Sequence, residues 1–171
     1  MFARFYPGAR VKSAYEIDYD RLYQKGIRGL IFDIDNTLVP HNAPPDARSI
    51  ALMERLKIAG FKVMTVSNNH EPRVKSLADV LGIDYIFDAH KPSADGYLRA
   101  LAKMNISAKE AVLIGDQIFT DVWGANRAGI FSILTEPVDR RTDILRIRIK
   151  RVLEKLVLSE YRRKKRPAGA V

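Results

Sequence analysis

Apolar positions along this chain alternate between two rhythms. Residues 27–33 form a mostly apolar run that follows Gly26 and ends in acid, the pattern of a buried strand. Residues 49–59 place Ile50, Leu52, Met53, Leu56 and Ala59 at helical spacing, and Gly60 supplies a stop. Residues 61–67 are rich in β formers. Residues 72–81 read as a helix, with Pro72 in its first turn and Gly82 just past its end. A strand at 85–87, a helix at 93–104, a strand at 111–116, a helix at 120–128 closed by Gly129 and a strand at 130–134 complete the series. Ser107 and Glu110 match a capping box. The apolar run behind them predicts a strand, so no helix is assigned there. This alternation predicts an α/β fold with a parallel sheet covered on both faces. There is no internal repeat.

Composition fits that picture, and charge adds to it. The 171 residues suffice for one domain with a real core. The net charge is +9. Residues 1–139 hold 17 Lys+Arg against 17 Asp+Glu, and residues 140–171 hold 12 against 3. A neutral body with an N-terminal extension, 1–139, is therefore followed by a basic helix and tail, 140–171, within the same domain. The chain has no cysteine, which excludes disulfides and thiolate metal sites and fits a reducing compartment. No apolar run approaches the roughly 20 residues of a membrane span, and the first residues lack a signal-peptide pattern. The expected location is cytoplasmic.

The candidate chemistry sits where predicted strands end. Asp33 and Asp35 follow the first, Ser67 ends the second, Lys91 follows the third, and Gly115-Asp116 ends the fourth. In open parallel sheets the ligand crevice lies beyond the carboxyl ends of the strands, so these residues can converge. Two carboxylates two residues apart repel unless a cation lies between them. Oxygen ligands suit a hard cation such as Mg2+, and Asp116 and Asp121 add further carboxylates. Taken singly, each residue also has a bland reading: Asp33-x-Asp35 as a solvated acidic loop, Ser67 as a turn residue, Lys91 as a solvated lysine.

Together they carry more. Asp33-Ile34-Asp35-Asn36-Thr37-Leu38, then Ser67, Lys91-Pro92, and Gly115-Asp116 with Asp121 resembles the four-motif set of the haloacid dehalogenase superfamily, over about residues 27–135. Ser67-Asn68-Asn69, His90-Lys91-Pro92 and Gly115-Asp116-Gln117-Ile118-Phe119-Thr120-Asp121 are similar to the subgroup of bacterial YqeG-type phosphatases, relatives of the mitochondrial phosphatidylglycerophosphate phosphatases. The resemblance implies a doubly wound, Rossmann-like sheet of order 3-2-1-4-5, with Asp33 and Asp116 meeting where the winding reverses. It also implies a phosphatase. Asp33 would be the nucleophile that forms an aspartyl phosphate, and Asp35 the general acid and base. Ser67, Asn68 and Lys91 would bind the phosphate. Asp33, Asp116 and the main-chain carbonyl of Asp35 would hold Mg2+, with Asp121 orienting the metal shell. By the same resemblance, an acid at Asp35 marks phosphatases and phosphomutases and not the dehalogenases and ion-pumping ATPases, and mutases of this group usually carry a cap domain.

Spacing bears on the substrate. Between Asp35 and Ser67 lie 31 residues, and between Ser67 and Lys91 lie 23. Both gaps are filled by predicted elements, so no cap domain is inserted and the site should be open. In the superfamily this chain resembles, open sites tend to serve large substrates or rely on a partner to close the site. The expected substrate is a phosphomonoester on a membrane lipid, phosphatidylglycerophosphate. A nucleic-acid end, a phosphoprotein or a soluble phosphometabolite is the alternative, and a non-catalytic binding scaffold is the alternative of another class.

The basic segment leaves three readings open. Ile144, Leu145, Ile149, Val152, Leu153 and Leu156 recur at helical spacing between Arg146, Arg148, Lys150, Arg151 and Lys155. That apolar face can pack on the sheet layer. Residues 144–166 can also lie on an anionic membrane as a peripheral contact at its inner face. Nucleic acid would use the same charge, but only Tyr161 stands near Arg162–Arg166 for base stacking. His41, His70 and His90 flank the motifs in no zinc-ligand spacing and are read as loop or substrate-proximal residues. Phe119 and Trp123 are expected in the core, and the first 20 residues packed against the domain. Nothing in the sequence fixes an oligomeric state.

Overall fold

The run after Gly26 becomes β2 (Gly29–Phe32), buried at every position. It is central in a six-stranded parallel sheet with β1 (Ala9–Arg10), β3 (Lys62–Val66), β4 (Asp84–Ile86), β5 (Ala111–Gly115) and β6 (Phe131–Leu134). The order is β1-β6-β5-β2-β3-β4. The five strands from β2 onward reproduce the expected 3-2-1-4-5 order, and β1 is an addition at the β6 edge. This computed structural model describes residues 2–142 and 145–165.

Alternate side chains of each strand cover opposite faces, as pleating requires. Leu30, Phe32, Val63, Val112 and Ile114 meet Leu52, Met53 and Leu56 of α2 (Ala47–Ile58) and Leu77 and Leu81 of α3 (Glu71–Leu81). Ile31, Met64, Val66 and Leu113 meet Tyr97, Ala100, Leu101 and Met104 of α4 (Asp95–Met104). No domain is inserted after β2 or β3. The earlier helix α1 (Tyr19–Gln24), which no periodic signal announced, contributes Tyr19 and Tyr23 to edge contacts with Phe61. The capping box at Ser107 and Glu110 forms, but it caps only a single 3-10 turn before β5.

The first residues do pack against the domain. Phe5 makes edge contacts with Phe119 and Trp123, both half-buried. Trp123 opens α5 (Trp123–Arg127), which follows a π-helical turn at Ile118–Val122. The predicted helix at 120–128 is thus two elements.

The basic segment forms α6 (Leu145–Lys165). Of its three readings, packing of the apolar stripe on the sheet layer does not hold: Ile149, Val152, Leu153 and Leu156 are exposed. The inward stripe is Ile147, Lys150, Arg151, Glu154, Val157, Leu158 and Tyr161. The helix turns this side in because two buried polar groups of the body need partners, as the site shows. Ile144 and Arg166, the ends of the stretch assigned to membrane contact, lie outside the described residues, as do the side chains of Leu145 and Arg146. No helix among the described residues is long and apolar enough to cross a membrane.

Candidate active site

The parallel strands deliver their polar ends to one crevice. β2 and β5 pair directly, so Asp33 and Asp116 leave neighbouring strands side by side. Asp33, Asp116 and Asp121 are all buried, and one carboxylate oxygen from each lies within 4.8 Å of the others.

Local structure explains each placement. After β2 the chain turns tightly, with the Ile34 carbonyl accepting from the N–H groups of Thr37 and Leu38 at 3.1 and 3.0 Å. Asn36 takes the left-handed conformation (φ 63°) that asparagine tolerates better than most residues. The turn aims the Thr37 hydroxyl at Asp116 Oδ1, 3.4 Å away. After β5 the π-helical turn folds Asp121 back over the strand, where its Oδ2 accepts from the Gln117 N–H at 3.0 Å. A Cβ on Gly115 would come within 2.7 Å of Asp121, so this fold-back needs glycine.

Lys91 joins the carboxylates. Its Nζ donates to Asp33 Oδ1 and to Asp121 Oδ1, both at 2.7 Å, from a side chain only 4% exposed. The Asn68 side chain holds the Lys91 main chain from both sides, accepting from its N–H at 2.6 Å and donating to its carbonyl at 3.2 Å. The Asn68 amide is therefore committed to positioning Lys91. Ser67 lines the crevice, and its hydroxyl accepts from the Asn69 N–H at 3.1 Å.

Asp35 also lines the crevice, but its side chain turns away from the buried trio. Its carboxylate accepts from Asn69 Nδ2 at 2.9 Å, the Asn42 N–H at 2.9 Å and Arg73 Nη2 at 3.2 Å. His41, Asn69, Gln117, Thr120, Ile147 and Lys150 complete the wall. His70 instead pairs with Asp88 at 3.2 Å.

The sequence reading missed α6 as part of this site. Arg151 binds Asp116 twice: Nη2 donates to the carboxylate Oδ2, and Nη1 donates to the main-chain carbonyl at 2.6 Å. Glu154, buried beside it, accepts from the Ile118 N–H at 2.7 Å and so caps the π-helical turn. Both residues read as ordinary charges on a basic helix. The one signal in the sequence is Glu154 itself, an acid three residues after Arg151 inside a strongly basic run.

The charges do not balance. Asp33, Asp116 and Asp121 face the two cations Lys91 and Arg151, and Glu154 adds a fourth anion. Burial pushes the Asp33 pKa well above the carboxylate range; Lys91 opposes this, while Asp121 and Asp116 reinforce it. Burial likewise lifts Asp116 to about 7, against the pull of Arg151. Lys91 is held well above its usual value, because Asp121 and Asp33 outweigh the burial that disfavours its charge. A buried cluster short of positive charge, offering only oxygen donors, fits a hard divalent cation.

A profile of haloacid dehalogenase-like hydrolases matches residues 41–129. YqeG of Bacillus subtilis (strain 168), described as a probable phosphatase, is 40% identical over 161 residues, 94% of this chain and 93% of that protein. Phosphatidylglycerophosphate phosphatase 1 of Arabidopsis thaliana is 31% identical over 92% of this chain but 48% of its own length. Among solved structures, the cobalt-bound deoxy-D-mannose-octulosonate 8-phosphate phosphatase of Haemophilus influenzae shares the fold at a TM-score of 0.51, covering 80% of this chain and 90% of that one at 14% identity.

Proposed function

The chain belongs to the haloacid dehalogenase-like hydrolases and is a phosphoric monoester hydrolase; from that premise we propose that it works through an aspartyl phosphate on Asp33 and acts on phosphatidylglycerophosphate. The observation that carries the mechanism is the placement of Asp33. Its carboxylate lies at a strand end, gripped by Lys91 and facing a crevice. A carboxylate that serves only structure has no need of that opening.

Asp33 attacks phosphorus, and the bond from phosphorus to the ester oxygen breaks. Asp35, held in place by Asn69, Asn42 and Arg73, gives its proton to the departing alkoxide. Asp35 then takes a proton from water, which attacks the acyl phosphate and releases inorganic phosphate. Lys91, the Ser67 hydroxyl and the main-chain N–H of Asn68 hold the non-bridging oxygens. Asp33, Asp116 and the Asp35 carbonyl would hold Mg2+, with Asp121 steadying them, and the ion would supply charge that offsets the repulsion between Asp33 and the phosphate.

The lipid substrate is supported by the name of the Arabidopsis relative and by a crevice with no inserted cap. The deciding experiment compares turnover of phosphatidylglycerophosphate in vesicles with turnover of a phosphorylated oligonucleotide, a phosphopeptide and small sugar phosphates. Mg2+-dependent turnover of the lipid is the expected result. Turnover confined to one of the others would replace the substrate, and turnover undiminished in Asp33→Asn would remove the mechanism.

A further inference from the structure

The two sides of α6 do different things. The inward side belongs to the site: Ile147 and Lys150 line the crevice, Arg151 binds Asp116, and Glu154 caps the neighbouring turn. The outward side carries Ile149, Val152, Leu153 and Leu156, which are 58, 61, 51 and 63% exposed. Their spacing of i, i+3, i+4 and i+7 makes one continuous ridge. Other exposed large apolar residues, such as Ile58, Val80 and Leu98, are scattered over separate elements, and single residues of this kind need no explanation. The ridge does.

Charge says what covers it. Arg148, Lys155 and Arg162 are all exposed and follow each other at seven-residue intervals, forming a basic line along one flank of the ridge. Arg163 extends the positive surface at the far end, whereas Lys164 is paired with Glu160 at 3.1 Å. An apolar ridge bordered by cations is complementary to the boundary of an anionic bilayer, where acyl chains and negative headgroups lie within one helix radius of each other.

We propose that the outer face of α6 docks on an anionic lipid bilayer, lying parallel to the surface. The same helix forms a wall of the catalytic crevice. Docking therefore leaves only this helix, ~10–12 Å across with its side chains, between the bilayer and the crevice. This rests on the reading of a lipid substrate and adds the surface that meets the lipid.

The test is flotation of the full chain with vesicles of phosphatidylcholine alone and of phosphatidylcholine with phosphatidylglycerol, alongside turnover of a soluble aryl phosphate. The chain is expected to float only with the anionic vesicles and to detach as salt is raised. Arg148→Gln with Lys155→Gln is expected to lower partitioning about thirtyfold, at about 1 kcal/mol for each cation and tenfold for every 1.4 kcal/mol. Val152→Ser with Leu156→Ser should also abolish flotation. Both pairs should leave aryl phosphate turnover within about twofold of the parent, which shows that the site is intact. Equal binding to both vesicle types, no binding to either, or undiminished flotation of the variants would overturn the proposal. So would a dimer in solution that Val152→Ser with Leu156→Ser dissolves, since the ridge would then bury itself against a second copy. Flotation without lipid turnover would leave the docking surface standing and remove the substrate reading.

Discussion

The guanidinium of Arg151, on the C-terminal helix, grips the carboxylate of Asp116 at the end of a central strand. With Thr37 on the other oxygen, both oxygens of Asp116 are engaged by protein donors. A cation entering the site competes with Arg151 for the same carboxylate. Arg151→Met should therefore lower the Mg2+ concentration needed for half-maximal turnover several-fold. It should also cost the metal-free protein about 3 kcal/mol, since one partner of a buried pair is lost. Mg2+ titration of activity and urea unfolding in a chelator measure the two effects. Unchanged stability together with an unchanged Mg2+ requirement would show that the contact carries no weight.

Asp33→Asn removes the nucleophile and one anion of a crowded cluster. Turnover should fall to background, a loss on the order of 10⁴-fold or more, while the fold survives. Beryllofluoride with Mg2+, a mimic of the acyl phosphate, should bind the parent protein and fail to bind this variant. The paired measurement separates loss of chemistry from loss of structure.

Asp35→Asn should distinguish substrates by their leaving groups. An alkoxide needs its proton, so hydrolysis of an alkyl phosphate should fall by about 10²–10⁴-fold. A nitrophenolate departs without help, so the first step on that ester should be less affected in single-turnover kinetics. Equal losses on both esters would assign Asp35 to positioning and not to proton transfer.

The buried carboxylates make the site's stability depend on pH. Burial places Asp116 at about 7, against about 4 in an unfolded chain. Between those values the native state binds a proton that the unfolded state does not. The stability from this group is full below about pH 4 and is lost as pH rises through 7. Under the proposed mechanism Mg2+ would bind the ionised carboxylates and restore it. The rise in melting temperature caused by Mg2+ over a chelator control should therefore be larger at pH 8 than at pH 5.5. A larger rise at pH 5.5 would contradict the assignment of the cation to these residues.

Gly115→Ala should damage stability and activity together. The added Cβ would meet Asp121 at 2.7 Å, forcing the π-helical turn and its grip on Lys91 to shift. A destabilisation of about 1–3 kcal/mol is expected for such overpacking. Thermal unfolding and turnover would both register it, and an unperturbed variant would mean that the turn relaxes freely.

Much of this molecule is legible in its sequence. Apolar runs that end in Asp33, Ser67 and Asp116 announce strands and chemistry at once, because a parallel sheet gathers its carboxyl ends into one place. What stayed hidden depends on packing. The strand at Ala9–Arg10 is two residues long and has no period to detect. Arg151 and Glu154 sit among many charges, and only the fold reveals that they point inward. Asn68 resembled a phosphate ligand, yet its amide is taken up by the main chain of Lys91. The exposed ridge of α6 reads in sequence like any apolar helix face. Periodicity shows that a helix has such a face, but not which way it turns.

The edge strand carries a consequence for how the chain assembles. Ala9 pairs with Ile133 and Arg10 with Leu134, and the Tyr6 hydroxyl bonds Glu160 across a separation of 154 residues. Contacts this remote in sequence form late, after the loop between them has closed. During synthesis, Phe2, Phe5 and Tyr6 must wait uncovered until Phe119, Trp123 and Tyr161 have been made. The central strands can find one another first. Arg151 and Glu154 can dock α6 on Asp116 and Ile118 without the earliest residues, but its far end gains the contacts of Glu160 and Tyr161 only once Tyr6 is in place.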